Sequence, residues 1–409
     1  MAASSTNDCR LLVHRAMIFS RMVVRRFGSA FSERQHIQSE SRMKSFLPLP
    51  GLGIQQGRIL SQVRMVPRCI CETSLAVERT SADEESVGRV SEENTTRMPQ
   101  RGTLRLGYAC DNAFMKRTKK VYTSRSCIRK TFEEKGLAHV SGLALANCLD
   151  LLQIIAWNYE NDIHVYRMTS KLFPWAGHYK LEDLPDYGTI CDALAAAGEL
   201  ARAADQRITN HPSCYVKLAS TTESITESSI QDLEVQSKIF DLMGYAPSHW
   251  NKINIHVGGV YGDKAKTMER FAETFHTRLS PSLQSRLTIE NDDSPNSYSV
   301  DDLLILHEKT GIPVTFDFHH HQFCPGMLTK KDAFIASMAT WPQGIRPVVH
   351  WSEMPECPQR RKTHPHSHSN FVYGPIDVYG YEADVDVMIE SKAKEAALLL
   401  YRDKISVKE

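Results

Sequence analysis

The chain has 409 residues, and its 42% hydrophobic and 24% charged content is enough for one large folded core. A formal net charge of +1 excludes a chain-wide basic surface, so any nucleic-acid contact must be local. No segment approaches the roughly 20 uninterrupted apolar residues of a membrane span, and the ten cysteines lack the spacing of a disulfide framework. We therefore expect an intracellular monomer with reduced thiols and no membrane partner.

Residues 1–100 differ in composition from the rest and are predicted to form a largely disordered leader and linker. Six arginines lie among apolar residues in segment 9–34, with no acidic residue between Asp8 and Glu33, as in transit peptides. A basic leader without a targeting role would have the same pattern. Residues 72–100 are rich in Ser, Thr, Glu and Arg, which favours a linker. We expect mitochondrial localisation, nuclear localisation, or both.

Eight short apolar runs follow, and most of them end at a polar residue that can bind metal. They predict strands at 104–107, 163–166, 207–210, 252–255, 287–289, 314–316, 346–349 and 385–389. Helical periodicity fills several gaps, for instance at 188–205, 230–243, 267–279 and 299–310. Eight strand–helix units within residues 101–395 predict a (β/α)8 TIM barrel, followed by a C-terminal tail at 396–409. The active site of such a barrel lies at the carboxyl-terminal ends of its strands.

Histidines and carboxylates crowd the predicted strand ends. A single histidine in such a place is more often a hydrogen-bonded structural residue than a metal ligand. Here, five histidine positions occur together with Glu290, Asp317 and Glu390. A mixed set of imidazoles and carboxylates suits Mn²⁺ or Zn²⁺, whereas Mg²⁺ prefers oxygen ligands. We infer two or three divalent ions, Mn²⁺ before Zn²⁺ or Mg²⁺, in an arrangement suited to phosphodiester hydrolysis.

Eight segments of the chain resemble the UV damage endonuclease family. They are LGYACDN (106–112), HPSCY (211–215), INIHVGGVYGDK (253–264), ENDD (290–293), TGIPVTFDFHHH (310–321), RPVVHWSE (346–353), HSHSNF (366–371) and DVMIESKAKE (386–395). The resemblance implies a (β/α)8 barrel with a three-metal site that acts in the repair of damaged double-stranded DNA. Such an enzyme nicks immediately 5′ to ultraviolet photoproducts, in some members also at abasic sites, and leaves a 3′-hydroxyl and a 5′-phosphate.

The resemblance assigns the metal ligands one by one. They are His211, His256, Glu290, Asp317, His320, His350, His368 and Glu390. Glu290 is the expected bridging carboxylate, and Glu290, Tyr108 and His256 are the candidate catalytic residues.

Other histidines remain as alternatives or as supporting residues. His364 and His366 are rivals for the position of His368, and His178 is a further candidate ligand unless it lies in an ordinary surface loop. His319 and His321 are expected to point away from the ions or to orient a ligand.

The resemblance also implies the DNA contacts. Tyr108 and Asn112 follow the first strand, and the family uses a tyrosine at position 215 with the preceding residue, here Cys214, as a wedge that holds the lesion displaced. Ordinary core packing is the alternative for Tyr215. A basic segment after the first strand is expected to bind phosphates; it contains Lys116, Arg117, Lys119, Lys120, Arg125, Arg129 and Lys130.

Two positions depart from the family pattern. Cys214 replaces the common glutamine, which removes a planar amide from the wedge and puts lesion preference in doubt. Val348 stands where the family commonly has a lysine, reported as a carboxylated group of the metal site. We expect Val348→Lys to change the metal dependence or pH profile of nicking, unless valine belongs to a repacked barrel interior where lysine would be a destabilising buried charge.

Two other functions compete with the endonuclease. A metal-dependent sugar isomerase or aldolase-like barrel also uses Glu, Asp and His at strand ends, but it gives no role to the basic segment or to Cys214 and Tyr215. A catalytically silent DNA-damage-binding protein would keep the barrel without turnover.

Overall fold

A computed structural model describes residues 102–355, 364 and 366–406 of the chain. The predicted leader, transit peptide and linker at 1–100 lie outside the described residues. Six of the cysteines fall within them, and all six are free thiols: Cys110, Cys127, Cys148, Cys191, Cys214 and Cys324.

Eight parallel strands form a barrel, as the sequence predicts. In chain order they are β1 (Leu104–Ala109), β2 (Val165–Met168), β3 (Arg207–Asn210), β4 (Ile253–Ile255), β5 (Leu287–Glu290), β6 (Val314–Thr315), β7 (Val348–Trp351) and β8 (Val385–Ile389). Neighbouring strands pair in the order β6-β5-β4-β3-β2-β1-β8-β7. A parallel bridge between Asp317 and His350 joins β6 to β7, where the His350 amide donates to the Phe316 carbonyl over 2.9 Å. This bridge brings the two ends of the sheet together.

Helices follow the strands and cover the outside of the barrel. The described residues contain α1 (Ala113–Lys119), α2 (Arg129–Glu160), α3 (Tyr187–Ala203), α4 (Glu223–Leu242), α5 (Lys264–Arg278), α6 (Pro281–Gln284), α7 (Val300–Thr310), α8 (Lys330–Ala339) and α9 (Glu395–Ser406). Helix α7 begins at the capping box of Ser299 and Asp302 and ends at Gly311, whose φ of 73° is left-handed. These caps explain why its predicted bounds match the observed ones.

Helix α2 is long and apolar enough to cross a membrane by length and composition. Of its most apolar window, 72% is buried within the protein, and the core helix of a soluble protein passes the same test. Gly136 interrupts its first turns with a φ of 62°.

The barrel interior is filled in layers because alternate residues of each strand point inward. Val165, Val348 and Met388 meet in a small apolar cluster in the middle. Toward the amino-terminal end, Arg207 pairs with Asp386 over 3.0 Å, and both side chains are fully buried. The interior is therefore a packed core, and the predicted metal ligands lie on top of it.

The C-terminal segment differs from its prediction. Residues 396–406, predicted as the start of a tail, belong to helix α9, which buries Ala397, Leu398 and Tyr401 in the main core. The apolar positions of this segment have helical spacing, so packing against the barrel orders it.

Candidate metal centre and nucleic-acid face

Six inward-pointing side chains meet at the carboxyl-terminal end of the barrel, where each follows or ends a different strand. They are His211 after β3, His256 after β4, Glu290 at the end of β5, Asp317 after β6, His350 in β7 and Glu390 after β8. Because parallel strands end on the same side of the barrel, residues distant in sequence become neighbours.

These side chains form three overlapping groups that could each hold a metal ion. The groups are His211, His256 and Glu290; Glu290, Asp317 and His320; and Asp317, His350 and Glu390, with the donor atoms of each group within 4.8 Å of one another. Glu290 and Asp317 each belong to two groups. Carboxylates shared in this way are suited to bridging neighbouring ions.

Glu290 lies between four imidazoles. Its Oε2 is 3.1 Å from His211 Nε2 and 3.8 Å from His256 Nε2, while its Oε1 is 3.0 Å from His350 Nδ1 and 3.3 Å from His320 Nδ1. Burial favours the neutral acid, but the surrounding imidazoles, His350 and His256 before the others, hold the pKa of Glu290 well below its usual range. The carboxylate is therefore ionised and available as a ligand.

The surroundings of the two carboxylate oxygens of Asp317 show whether the site fits a metal ion. Its Oδ1 accepts hydrogen bonds from the amides of His319 and His320 over 2.7 and 2.8 Å. Its Oδ2 is buried and has no hydrogen-bond partner among the described residues. A buried carboxylate oxygen without a partner is costly unless a cation binds it. The donor set thus fits a divalent ion at this oxygen.

Burial and neighbouring charges raise the pKa values of Asp317 and His256. Burial and the nearby Glu290 and Glu390, opposed by His320, raise the pKa of Asp317 to about 7. For His256, burial lowers the pKa, but Glu290 and Asp292 outweigh this effect and raise it to about 9. An ion bound here has to compete with these protons.

The remaining predicted ligands lie outside the three groups. His368 is half-buried, with its ring 5.3 Å from that of His319 and a buried Nδ1 that has no hydrogen-bond partner among the described residues. Its rival His366 pairs with Asp293 over 3.0 Å, and His364 is exposed. His178 is also exposed, in a 3-10 turn where its ring packs on Trp175. Of the two possibilities considered for His178, the structure therefore shows the ordinary surface loop.

Two residues predicted to contact DNA are buried instead. Tyr108 and Asn112 are each 0% exposed. The Tyr108 hydroxyl donates to Asn158 Oδ1 over 2.8 Å, and Asn112 Nδ2 donates to the Tyr108 oxygen over 3.1 Å. Ala109 faces the barrel interior, so strand alternation turns Tyr108 toward α2. Burial also raises the pKa of Tyr108 well above its usual range, so neither DNA contact nor acid–base catalysis by this residue fits the structure.

The wedge candidates have the opposite placement. Cys214 is exposed and Tyr215 is 83% exposed, in the loop that follows His211. The Tyr215 ring is exposed to solvent and is therefore available to stack on a bound molecule. Core packing, the alternative considered for Tyr215, is excluded in this structure.

The basic segment is only partly free to bind phosphate. Lys116 pairs with Asp111 over 2.9 Å, and Arg125 with Asp150 over 2.6 Å. Arg129 and Lys130 pair with glutamates along α2. Arg117, Lys119 and Lys120 are exposed. These three offer the unpaired positive charge of the segment within the described part of the chain.

Three interior polar residues escaped the sequence analysis. Asn254 donates to Glu290 Oε2, and Arg167 donates from Nη1 to Glu390 Oε1. Lys252 is buried, with Nζ 3.2 Å from Thr315 Oγ1 and 3.4 Å from His350 Nε2. The signal was present in the sequence, since residues 252, 254 and 256 alternate inward along one strand. The chain thus has an interior lysine near His350, although it comes from the residue just before β4 rather than from position 348.

An eight-stranded parallel barrel with overlapping imidazole and carboxylate groups at its carboxyl-terminal face defines a class of protein, the TIM barrel with a candidate metal centre. Comparison with known proteins shows to which family within this class the chain belongs. The family model for the UV-endonuclease UvdE matches residues 104–409. The UV-damage endonuclease of Schizosaccharomyces pombe is 36% identical over 313 residues, which cover 74% of this chain and 50% of that protein. The UV DNA damage endonuclease of Bacillus cereus strain B4264 is 32% identical over 290 residues, covering 70% and 88%.

A solved structure agrees with the sequence comparisons. The crystal structure of SacUVDE matches with a TM-score of 0.62 and 29% identity, covering 73% of this chain and 96% of that chain. The chain belongs to the UV-endonuclease UvdE family. It spans about half the length of the matched proteins of S. pombe and Neurospora crassa. Membership supports a role in DNA repair over the sugar isomerase or aldolase alternative.

Proposed function

We propose that the protein is a metal-dependent DNA repair endonuclease that nicks duplex DNA immediately 5′ to ultraviolet photoproducts, and also at abasic sites. The observation that carries this proposal is the set of three overlapping histidine–carboxylate groups in a chain of the UvdE family. The expected products are a 3′-hydroxyl and a 5′-phosphate. Manganese is the proposed metal, with zinc or magnesium as the alternatives, and the mix of imidazole nitrogen and carboxylate oxygen suits Mn²⁺ or Zn²⁺ better than Mg²⁺.

Two or three divalent ions in this site would stabilise the attacking and leaving oxygens of an in-line phosphodiester displacement. Glu290 and Asp317 would be shared between ions, with His211, His256, His320, His350 and Glu390 as the remaining ligands. The neighbours of the carboxylates keep them in place. Asn254 fixes Glu290 Oε2, and two backbone amides fix Asp317 Oδ1, so its Oδ2 stays turned toward the centre.

Lesion recognition is assigned to the loop after β3. Tyr215 stacks in place of a displaced base, which offsets part of the cost of unstacking, and damaged bases are cheaper to displace than intact pairs. Arg117, Lys119 and Lys120 contact backbone phosphates and carry no sequence preference. Cys214 cannot supply the planar amide of a glutamine, so Tyr215 is the wedge residue that distinguishes damaged from intact duplex in this chain.

The test is a nicking assay on ultraviolet-irradiated and unirradiated supercoiled plasmid, with Mn²⁺, Zn²⁺ or Mg²⁺ added to metal-free protein. We expect nicking that needs both irradiation and a metal ion. Primer extension across a defined photoproduct then locates the break. Binding of irradiated DNA without any nicking would overturn the proposal in favour of the catalytically silent alternative.

A further inference from the structure

Arg167 is a buried cation at the metal centre whose hydrogen-bonding capacity is not used up. It lies in β2, a strand that contributes no residue to the three groups found in the described part of the chain. Its side chain is 12% exposed, and Nη1 donates to Glu390 Oε1. Its Nε is buried and has no hydrogen-bond partner among the described residues.

A second arginine of the same barrel shows what a purely structural guanidinium looks like here. The Arg207 side chain is fully buried, and its Nε, Nη1 and Nη2 all donate: to the Trp250 carbonyl, to Asp386 and the Arg346 carbonyl, and to the His249 carbonyl. Arg207 lies at the amino-terminal end of the interior, away from the metal centre. Arg167 lies at the other end and keeps a donor unpaired. The buried Nε of Arg286, just before β5, has no hydrogen-bond partner among the described residues either, so the position of Arg167 at the candidate metal centre is what distinguishes it.

The chemistry of the unpaired donor limits what can bind it. A guanidinium is always charged and only donates, so its partner must be an acceptor and preferably an anion. Its planar edge matches the oxygens of a carboxylate or a phosphate. Glu390 already occupies one part of this edge. The anion that the proposed function brings to the carboxyl-terminal face is a phosphodiester.

We propose that Arg167 is a catalytic residue that binds a non-bridging oxygen of the scissile phosphate, and of the terminal phosphate after cleavage. This inference rests on the proposed endonuclease function. Arg167 is fixed in β2 and paired with Glu390. Its guanidinium can therefore neutralise charge on the phosphate without reorganising. Glu390 would then have two contacts, one to a metal ion and one to Arg167.

The competing role is positioning alone, in which Arg167 orients Glu390 as a metal ligand and never contacts phosphate. The two roles differ in what Arg167→Gln and Arg167→Lys do to phosphate binding and to metal content. Inorganic phosphate is the probe, and its affinity for the Mn²⁺-loaded full-length protein is measured by calorimetry. The Mn²⁺ content of each variant is measured in parallel.

We expect Arg167→Gln to weaken phosphate binding by about ten- to a hundredfold, with a smaller loss in Arg167→Lys, because a charge-assisted hydrogen bond is removed or altered. Mn²⁺ content stays as in the wild type. The matched control is Arg278→Gln, which removes an arginine paired with Glu223 and Glu227 on the outer surface and leaves phosphate binding unchanged.

Three results would overturn the proposal: wild-type protein that binds no phosphate with Mn²⁺ present, equal phosphate affinity in all variants, or reductions in phosphate affinity that follow reductions in Mn²⁺ content. The Lys variant keeps the test informative if the Gln variant does not fold. Because the readout is binding, it also separates this proposal from the endonuclease function. Absence of nicking together with the expected phosphate pattern would overturn the function and leave the anion site standing.

Discussion

At the scale of single residues, Glu290 organises the metal centre, since its two oxygens contact four imidazoles from different strands. A glutamine has nearly the same shape but no charge and one oxygen fewer. Its effect therefore isolates the charge of this carboxylate from its packing.

We predict that Glu290→Gln lowers Mn²⁺ affinity at two of the three groups and reduces nicking by at least about a thousandfold, because the shared carboxylate is removed. The fold remains, since no cavity is created. Plasmid nicking, Mn²⁺ content and the circular dichroism spectrum are the measurements. Glu308→Gln, at an exposed position of α7, is the control and behaves as the wild type. Full turnover by Glu290→Gln would contradict the metal-centre assignment.

Val348 packs in the apolar interior of the barrel, which its position in the sequence alone did not establish. It is fully buried and shares an apolar cluster with Val165 and Met388, while Lys252 Nζ already lies 3.4 Å from His350 Nε2. Two outcomes were considered for Val348→Lys: a changed metal site, or a buried charge that destabilises the fold. The apolar neighbours of Val348 favour the buried charge.

We predict that Val348→Lys lowers the free energy of unfolding by several kcal/mol, on the order of 3–5, because an ammonium without a partner enters an apolar cluster. Val348→Leu, which keeps the apolar character, costs about 1–3 kcal/mol through overpacking. Urea denaturation of the metal-free proteins gives both values. An unchanged stability together with a shifted metal preference would show that the lysine reaches the ions after all.

At the scale of elements, the loops after the strands carry the surface that can contact DNA. The loop after β3 holds Tyr215 in solvent, and α1, directly after β1, presents Arg117 and Lys119. Both follow strands that end at the metal centre. In the proposed function, stacking and charge would therefore act on the same face of the barrel, but through different elements.

We predict that Tyr215→Ala keeps the metal content but reduces discrimination between damaged and intact duplex by about 5- to 150-fold, since stacking of a base on an aromatic ring contributes about 1–3 kcal/mol. Tyr215→Phe retains the ring and retains discrimination. The measurement is competition binding of a duplex with one photoproduct against its undamaged counterpart. Equal discrimination by the Ala variant would place the wedge elsewhere.

Helix α1 should act differently from the Tyr215 loop. We predict that the double variant Arg117→Gln, Lys119→Gln weakens binding to damaged and undamaged duplexes alike and makes the slope of log affinity against log salt shallower by about two, because two phosphates are no longer neutralised. Fluorescence anisotropy over a salt series measures this slope. A weakening confined to damaged DNA would contradict a purely phosphate-binding role for α1.

At the scale of the whole molecule, the charge of the metal centre links ion binding to pH. His256, with a pKa of about 9, and Asp317, with a pKa of about 7, carry protons near neutral pH when no ion is bound. Attraction to Asp317 and Glu290 outweighs the burial of His320 and raises its pKa to about 11. Metal ligands must be deprotonated, so binding releases these protons and becomes stronger as pH rises.

We predict that the apparent Mn²⁺ affinity rises between about pH 6 and pH 9, with more protons released per protein at the acidic end, where Asp317 is still protonated. Calorimetric titration in buffers with different ionisation enthalpies counts the protons. Removing the ions with a chelator should lower the melting temperature, because a ligand that binds the native state stabilises it. A pH-independent affinity would contradict the raised pKa values.

The sequence by itself determined the barrel and brought the main candidate metal ligands to one place in it. Most strands are short apolar runs that end at or just before a polar inward residue, and parallel strands end on one face, so His211, Glu290 and His350 could be assigned to one site from their places in the chain. The capping signals of α7 fixed its bounds for the same local reason. These features depend on neighbouring residues and on the two-residue alternation of a strand.

Tertiary structure decided the features that depend on contacts between distant segments. Tyr108 is turned toward Asn158 of α2, fifty positions along the chain, and Lys252 reaches His350 across the barrel interior. Residues 396–406 form a helix because the barrel offers them an apolar surface to bury. A sequence pattern shows which side chains are polar or apolar. The partner of each side chain is set by the three-dimensional arrangement of the sheet, which brings β6 against β7 and places Arg167 beside Glu390.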